Sequence, residues 1–185
     1  NSGLGINVTT TTGKLSIIGN TRDLTYVGAF AAVNEGLTME INLNTAQTVS
    51  LNTAIKAGTL NVVNGTIDAK TFNIRLDNGS AGTGDCTISS GATVISSASG
   101  GASVFVRTSG GSPCGTLTLD GKLILLGASP GISMTTINFN GTVEYAATGN
   151  QDLLVATFTG VTPNNYTHLT LSGSGTKTPA YPILN

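Results

Sequence analysis

The sequence predicts an all-β chain wound as a right-handed parallel β-helix, a β-solenoid. Three observations carry that expectation. Apolar and polar residues alternate in short runs, Asn-Gly and Asp-Gly pairs sit between successive runs, and similar units recur along the chain. An antiparallel β-sandwich is the alternative that the same strands allow.

The alternation comes first. Leu37–Leu43 (LTMEINL) places Leu37, Met39, Ile41 and Leu43 on one face and Thr38, Glu40 and Asn42 on the other. Period two of this kind marks a half-buried strand. Lys14–Ile18, Thr59–Val63, Phe72–Leu76, Cys86–Ile88, Val104–Val106 and Thr116–Leu119 follow the same pattern. So do Leu123–Leu126, Ile137–Phe139, Val143–Tyr145 and Leu169–Leu171. Thr, Val, Ile, Asn and Gly dominate, and these are poor helix formers. Thr, Val and Ile also fit a pleated surface well. Val27–Leu37 comes nearest to helical spacing, and two glycines weaken it.

The punctuation comes second. Asn64-Gly65, Asp120-Gly121 and Asn140-Gly141 each separate two apolar runs. Glycine takes a positive φ at no steric cost, and Asn or Asp tolerates one. In a hairpin such a pair reverses the chain. In a solenoid it makes a corner, and the chain runs on along the next face of the same rung.

Self-similarity tilts the choice toward the solenoid. Gly58–Ile67 (GTLNVVNGTI) resembles Gly115–Leu125 (GTLTLDGKLIL), and related units packed in series are the mark of stacked repeats. Outward positions are mostly Thr, Asn and Ser, which can ladder from rung to rung. Lys and Pro, the usual guards of antiparallel edges, are scarce. Residues 1–185 are read as one solenoid segment of a longer protein, with a Gly/Ser-rich stretch of rungs or loop at 79–114. At roughly 22 residues per rung the chain would make about eight rungs, a rod near 40 Å long at one strand spacing per rung. No strand is expected over Ser96–Ser103.

Composition excludes several function classes. Charged residues make up 9% of the chain and the net charge is −1, against about 25% charged in a typical domain. Such a surface offers no basic stripe to neutralise phosphates, so nucleic acid is not an expected partner. No run of 18 apolar residues occurs, so membrane insertion by a helix is not expected. The chain begins at Asn1 rather than Met, which suggests a processed or excised piece. Asn-x-Ser/Thr sequences stand at Asn7, Asn64, Asn78, Asn140 and Asn165, a number that a chain so rich in Thr and Asn produces by chance.

Few constellations could carry chemistry. Cys86 and Cys114 are the only cysteines and form a disulfide candidate. The bridge would close a loop of about 29 residues and stabilise by roughly 3 kcal/mol; two buried thiols are the alternative. His168 is the only histidine, and in the run YTHLTL it alternates with Leu169 and points outward. The nine acids are scattered, with only Glu35 and Glu40 close in sequence and Asp77 and Asp85 less so, whereas glycoside hydrolysis needs two converging carboxylates. A polysaccharide-degrading β-helix enzyme is therefore the least favoured reading, and no catalytic residue and no cofactor is assigned. Asp77-Asn78-Gly79 with Asp85 offers hard oxygen ligands for calcium, but an Asx-capped turn explains the same residues, and no metal site is assigned. The many threonines invite an ice-binding reading, yet Thr-x-Thr segments do not recur at a fixed period. Tyr26, Tyr145, Tyr166 and Tyr181 are the candidates for stacking on carbohydrate, with Tyr145 expected to be partly buried beside Val143.

One stretch, 137–178, resembles a known module. Gly141–Tyr145 (GTVEY), Thr148–Gln151 (TGNQ) and Tyr166–Thr178 (YTHLTLSGSGTKT) are similar to β-strand repeats of large secreted surface adhesins of Bacteroidetes, and the last piece is the most specific. Asp152–Thr157 (DLLVAT) departs from the shorter linker of that pattern. The resemblance implies an extracellular or cell-surface protein exported by the type IX route and acting in adhesion, gliding or filament formation. It brings no catalytic residues. Asn1–Gly13 and Thr176–Asn185 lack an amphipathic cap, so the expected partners are flanking repeats of the same protein or further copies of itself, with surface glycans as an adhesive ligand. The function expected is that of a structural or adhesive repeat segment; a carbohydrate- or ice-binding module is the alternative.

Overall fold

A computed structural model describes residues 12–24, 36–76, 84–100, 104–106, 114–153 and 166–179. Among them there is no helix, and every strand pair is parallel. The antiparallel sandwich is excluded by those pairings. The described residues form a β-solenoid of about five turns.

Three walls enclose the core. The first is built from β1 (Thr12–Gly19), β3 (Gly36–Leu43), the first half of β6 (Thr59–Asp68), the first half of β8 (Cys86–Ser96), β10 (Cys114–Leu119) and β12 (Met134–Phe139). The second holds β2 (Arg22–Leu24), β4 (Thr48–Leu51), the second halves of β6 and β8, β11 (Lys122–Leu125), β13 (Thr142–Tyr145) and β15 (His168–Leu171). The third contains β5 (Ile55–Ala57), β7 (Ile74–Leu76) and β9 (Phe105–Val106), and, further along, β14 (Gln151–Asp152) paired with β16 (Lys177–Thr178).

Alternation becomes packing by stacking like on like. Leu15, Met39, Leu60, Cys86, Leu117 and Ile137 face their counterparts in successive rungs, two residues before Ile17, Ile41, Val62, Ile88, Leu119 and Phe139. On the second wall Val49, Ile67, Val94, Leu123, Val143 and Leu169 form a third column. Ile41, Val62, Ile88, Leu119, Ile67, Val94 and Leu123 are wholly buried. Removing a Val, Leu or Ile side chain from water is worth about 1.5–3 kcal/mol, so these columns supply the main driving force.

The turn pairs are corners between the first and second walls, as the sequence suggested. Gly65 takes a φ of 84°, and a side chain there would strike Leu43 in the rung below. At Gly141 the cause is a close approach instead: an added Cβ would overlap the Gly121 carbonyl and come within 2.7 Å of the Asp120 carbonyl carbon. Gly141 N–H donates to Leu119 O at 2.6 Å, and Thr142 N–H to Gly121 O at 2.9 Å.

Rung length is uneven. Partners in neighbouring rungs are separated by 20 residues at Leu117↔Ile137, 24 at Thr12↔Gly36 and 31 at Cys86↔Leu117. These lengths scatter around the roughly 22 residues expected, so no single period holds, and the described residues make about five turns. Gly58 alone joins β5 to β6, whereas residues 77–85 join β7 to β8, so the excess lies in the connections back to the first wall. The Gly/Ser-rich stretch also holds more strand than expected, because β8 runs eleven residues from Cys86 to Ser96 and spans two walls. Residues 97–100 are not strand, as expected, and 101–103 lie outside the described residues.

Candidate functional site: an outer polar wall and a pinned corner

The first wall turns small polar side chains outward. Glu40, Asn61, Thr87, Thr118 and Asn138 form one column, each opposite the next in adjacent rungs. Thr38 faces Thr59, and Thr116 faces Thr136, two residues to one side. Thr-x-Thr and Thr-x-Asn segments therefore do come into register, although they keep no fixed period along the chain. Successive rungs lie about 4.8 Å apart, and alternate residues about 6.8 Å apart along a strand.

Two ion pairs join neighbouring rungs at the surface. Lys14 Nζ lies 2.6 Å from Glu40 Oε2, and Lys122 Nζ lies 2.6 Å from Glu144 Oε2. Both pairs join a Gly-Lys-Leu unit to a Thr-x-Glu unit in the next rung. Glu144 also accepts a 2.5 Å hydrogen bond from Ser172. Hydrogen bonds from Lys122 and then Ser172 hold its carboxyl below the ordinary carboxylate range. Asp120 accepts from the Asn140 amide at 2.9 Å, and Asp152 from the Ser129 hydroxyl at 2.7 Å. Asp85 accepts from the Thr116 N–H at 2.7 Å. The described acids are scattered along the solenoid, and no group of three His, Cys, Asp or Glu gathers among the described residues. Glu35 and Asp77–Gly79 lie outside the described residues.

Cys86 and Cys114 are buried thiols and are not bridged, which corrects the expected disulfide. Cys86 pairs in register with Leu117, so Cys114 lies three residues short of it along the ladder. That stagger, with the strand spacing, puts the two Cα atoms beyond the roughly 7 Å that a disulfide spans without backbone movement. The Cys114 thiol donates to Leu76 O at 3.4 Å instead. Burial pushes the Cys86 thiol far above its usual pKa.

Among the described residues the aromatic side chains do not form an open platform. Tyr145 is wholly buried rather than partly so. Its hydroxyl lies 2.8 Å from that of Tyr166, whose ring stacks on Phe139 with centroids 5.1 Å apart. Tyr26 and Tyr181 lie outside the described residues. His168 is exposed, as its place in the alternation required.

The second corner of the last two rungs is held by polar groups that the sequence reading passed over. Gln151 is 1% exposed, and its side-chain amide donates to Leu125 O and Gly127 O, both at 2.8 Å. Its Oε1 accepts from Ala147 N–H at 3.2 Å. Asn150 Oδ1 accepts from Thr176 N–H at 3.0 Å, and the Ser174 hydroxyl donates to Thr148 O. Lys177 Nζ donates to Ala147 O at 2.8 Å, Ser174 O at 3.2 Å and Gly149 O at 3.4 Å. These residues belong to the TGNQ and GSGTKT segments singled out above. That singling-out was the only signal of them, because their partners are backbone carbonyls.

No family model matches the chain, and no curated protein or solved structure is significantly similar to it.

Proposed function

We propose that this chain is a structural, adhesive repeat segment of an extracellular bacterial surface or filament protein. The observation that carries the reading is the direction of the backbone ladder. Parallel hydrogen bonds link rung to rung along one axis through β1, β3, β6, β8, β11, β13 and β15. Such a ladder is a rod whose load is shared by many bonds, and it needs no cleft. The resemblance of 137–178 to secreted adhesin repeats supports the same reading. So does the exterior, where small neutral groups and paired ions leave little self-repulsion. Leu169 and Leu171 continue the inward columns of Val143 and Tyr145, with Leu171 51% exposed. Further rungs of the same protein, or further copies of it, are the partners that would extend such columns, and surface glycans are the adhesive ligand class.

The test is mechanical. The chain is tethered at both ends and pulled in an optical trap. Rungs of 18 to 31 residues should release as discrete length steps of about 6–11 nm, at about 3.6 Å per extended residue. Smooth extension with no force-bearing step would sink the reading.

A second reading has its own observation. The in-register columns through Thr38, Thr59, Thr87, Thr116, Thr118 and Asn138 form a repeating two-dimensional array of hydrogen-bonding groups. An array of that kind suits a regular hydroxylated lattice, either ice or an extended glycan. Ice-recrystallisation and glycan-array assays should then give signals that Thr118→Tyr abolishes; silence in both would remove the reading.

A further inference from the structure

We propose that the carbonyl cradle formed by Ala147, Gly149 and Ser174 is a monovalent-cation site, whose resident cation is the ammonium of Lys177. The geometry suits one tetrahedral cation. An ammonium has three N–H donors and no acceptor, and three carbonyl oxygens lie at 2.8, 3.2 and 3.4 Å from Nζ. The cradle is backbone, fixed by how two corners nest. Gly173 and Gly175 take φ of 73° and 76°, and a Cβ on either would run into the backbone at Ala147 or Gly149–Asn150 in the rung below. Ser174 N–H donates to Ala147 O at 3.2 Å, and Thr176 N–H to Asn150 Oδ1 at 3.0 Å. Ala147 O is therefore engaged by a contact other than the lysine's own.

Converging carbonyl dipoles stabilise a small cation by replacing its hydration shell. Here the cation is tethered to β16, the strand it seats against β14. In that position it does what a bound ion would do, drawing three carbonyls of two rungs toward one charge. The site would accept ammonium, methylammonium or potassium once the tether is removed, and would refuse a cation that cannot donate or fit.

Lys177→Ala is the test, read by hydrogen exchange of the amides of residues 168–178. Protection should fall about tenfold, the size expected for losing charge-assisted hydrogen bonds at one corner. Methylammonium chloride should restore most of it, and tetramethylammonium chloride at the same ionic strength should not. Unchanged protection in the variant, no recovery with methylammonium, or equal recovery with both salts would each overturn the proposal. The unsubstituted chain gives a second measurement in case the variant unfolds. Nitrogen-15 spectra should show the Lys177 ammonium in slow hydrogen exchange; fast exchange of that ammonium would likewise overturn it.

Discussion

Placing a methyl group on Gly141 tests how closely the corners must nest. The new Cβ would stand 2.7 Å from the Asp120 carbonyl carbon, where ordinary contact begins at 3.4 Å. It would also overlap the Gly121 oxygen, so the two rungs must part locally by roughly 1 Å. Three bonds cross that gap: Gly141 N–H to Leu119 O at 2.6 Å, Thr142 N–H to Gly121 O at 2.9 Å, and the Asn140 amide to Asp120 at 2.9 Å. Stretched by that amount they pass beyond useful hydrogen-bond length. At about 1 kcal/mol net apiece, Gly141→Ala should cost about 3 kcal/mol. Gly149→Ala is the matched control, because a Cβ there meets nothing within 4 Å; it should stay within about 0.5 kcal/mol of the parent. Urea unfolding followed by circular dichroism reads both as shifts in midpoint. Equal midpoints for the two variants would refute the claim that backbone contact sets the spacing of the corners.

Tyr145→Phe should destabilise by about 1–2 kcal/mol, because it leaves the Tyr166 hydroxyl without its 2.8 Å partner in a largely desolvated place; thermal melts against the parent measure it. The Glu144 carboxyl is held below its ordinary value of 4.5, so its contribution is present above that value and is lost as pH falls through the lower folded-state pKa. Acid titration of stability should therefore show a decline below about pH 4.5 that Glu144→Gln reduces, by less than about 1 kcal/mol because Lys122 is partly exposed. Both cysteines should resist a thiol reagent in the folded chain and react fully in denaturant. A mass two units low, or a melting point that falls on adding reductant, would show a bridge instead.

The walls were legible because period two survives any rung length. Leu37, Met39, Ile41 and Leu43 point inward for the reason visible in LTMEINL, and each later strand repeats it. Asn64-Gly65 and Asn140-Gly141 were legible as corners, Gly65 through its positive φ and Gly141 through the close approach of the rung below. Lateral relations were not legible. Thr87 meets Thr118 only after a 31-residue turn, and a period search cannot align turns of unequal length. The cysteines misled for a related reason: separation along the chain says nothing about stagger across a ladder. Gln151 and Lys177 bond to carbonyls, and carbonyls look alike in every sequence.

The uneven connections carry a consequence for how such a chain can vary. Because Gly58 suffices in one turn and residues 77–85 serve in another, the walls are indifferent to how much polypeptide leaves and rejoins at that edge. Loop closure grows costlier only slowly with length. That seam can therefore accept foreign segments, epitopes or whole inserted modules while the scaffold beside it keeps its pitch.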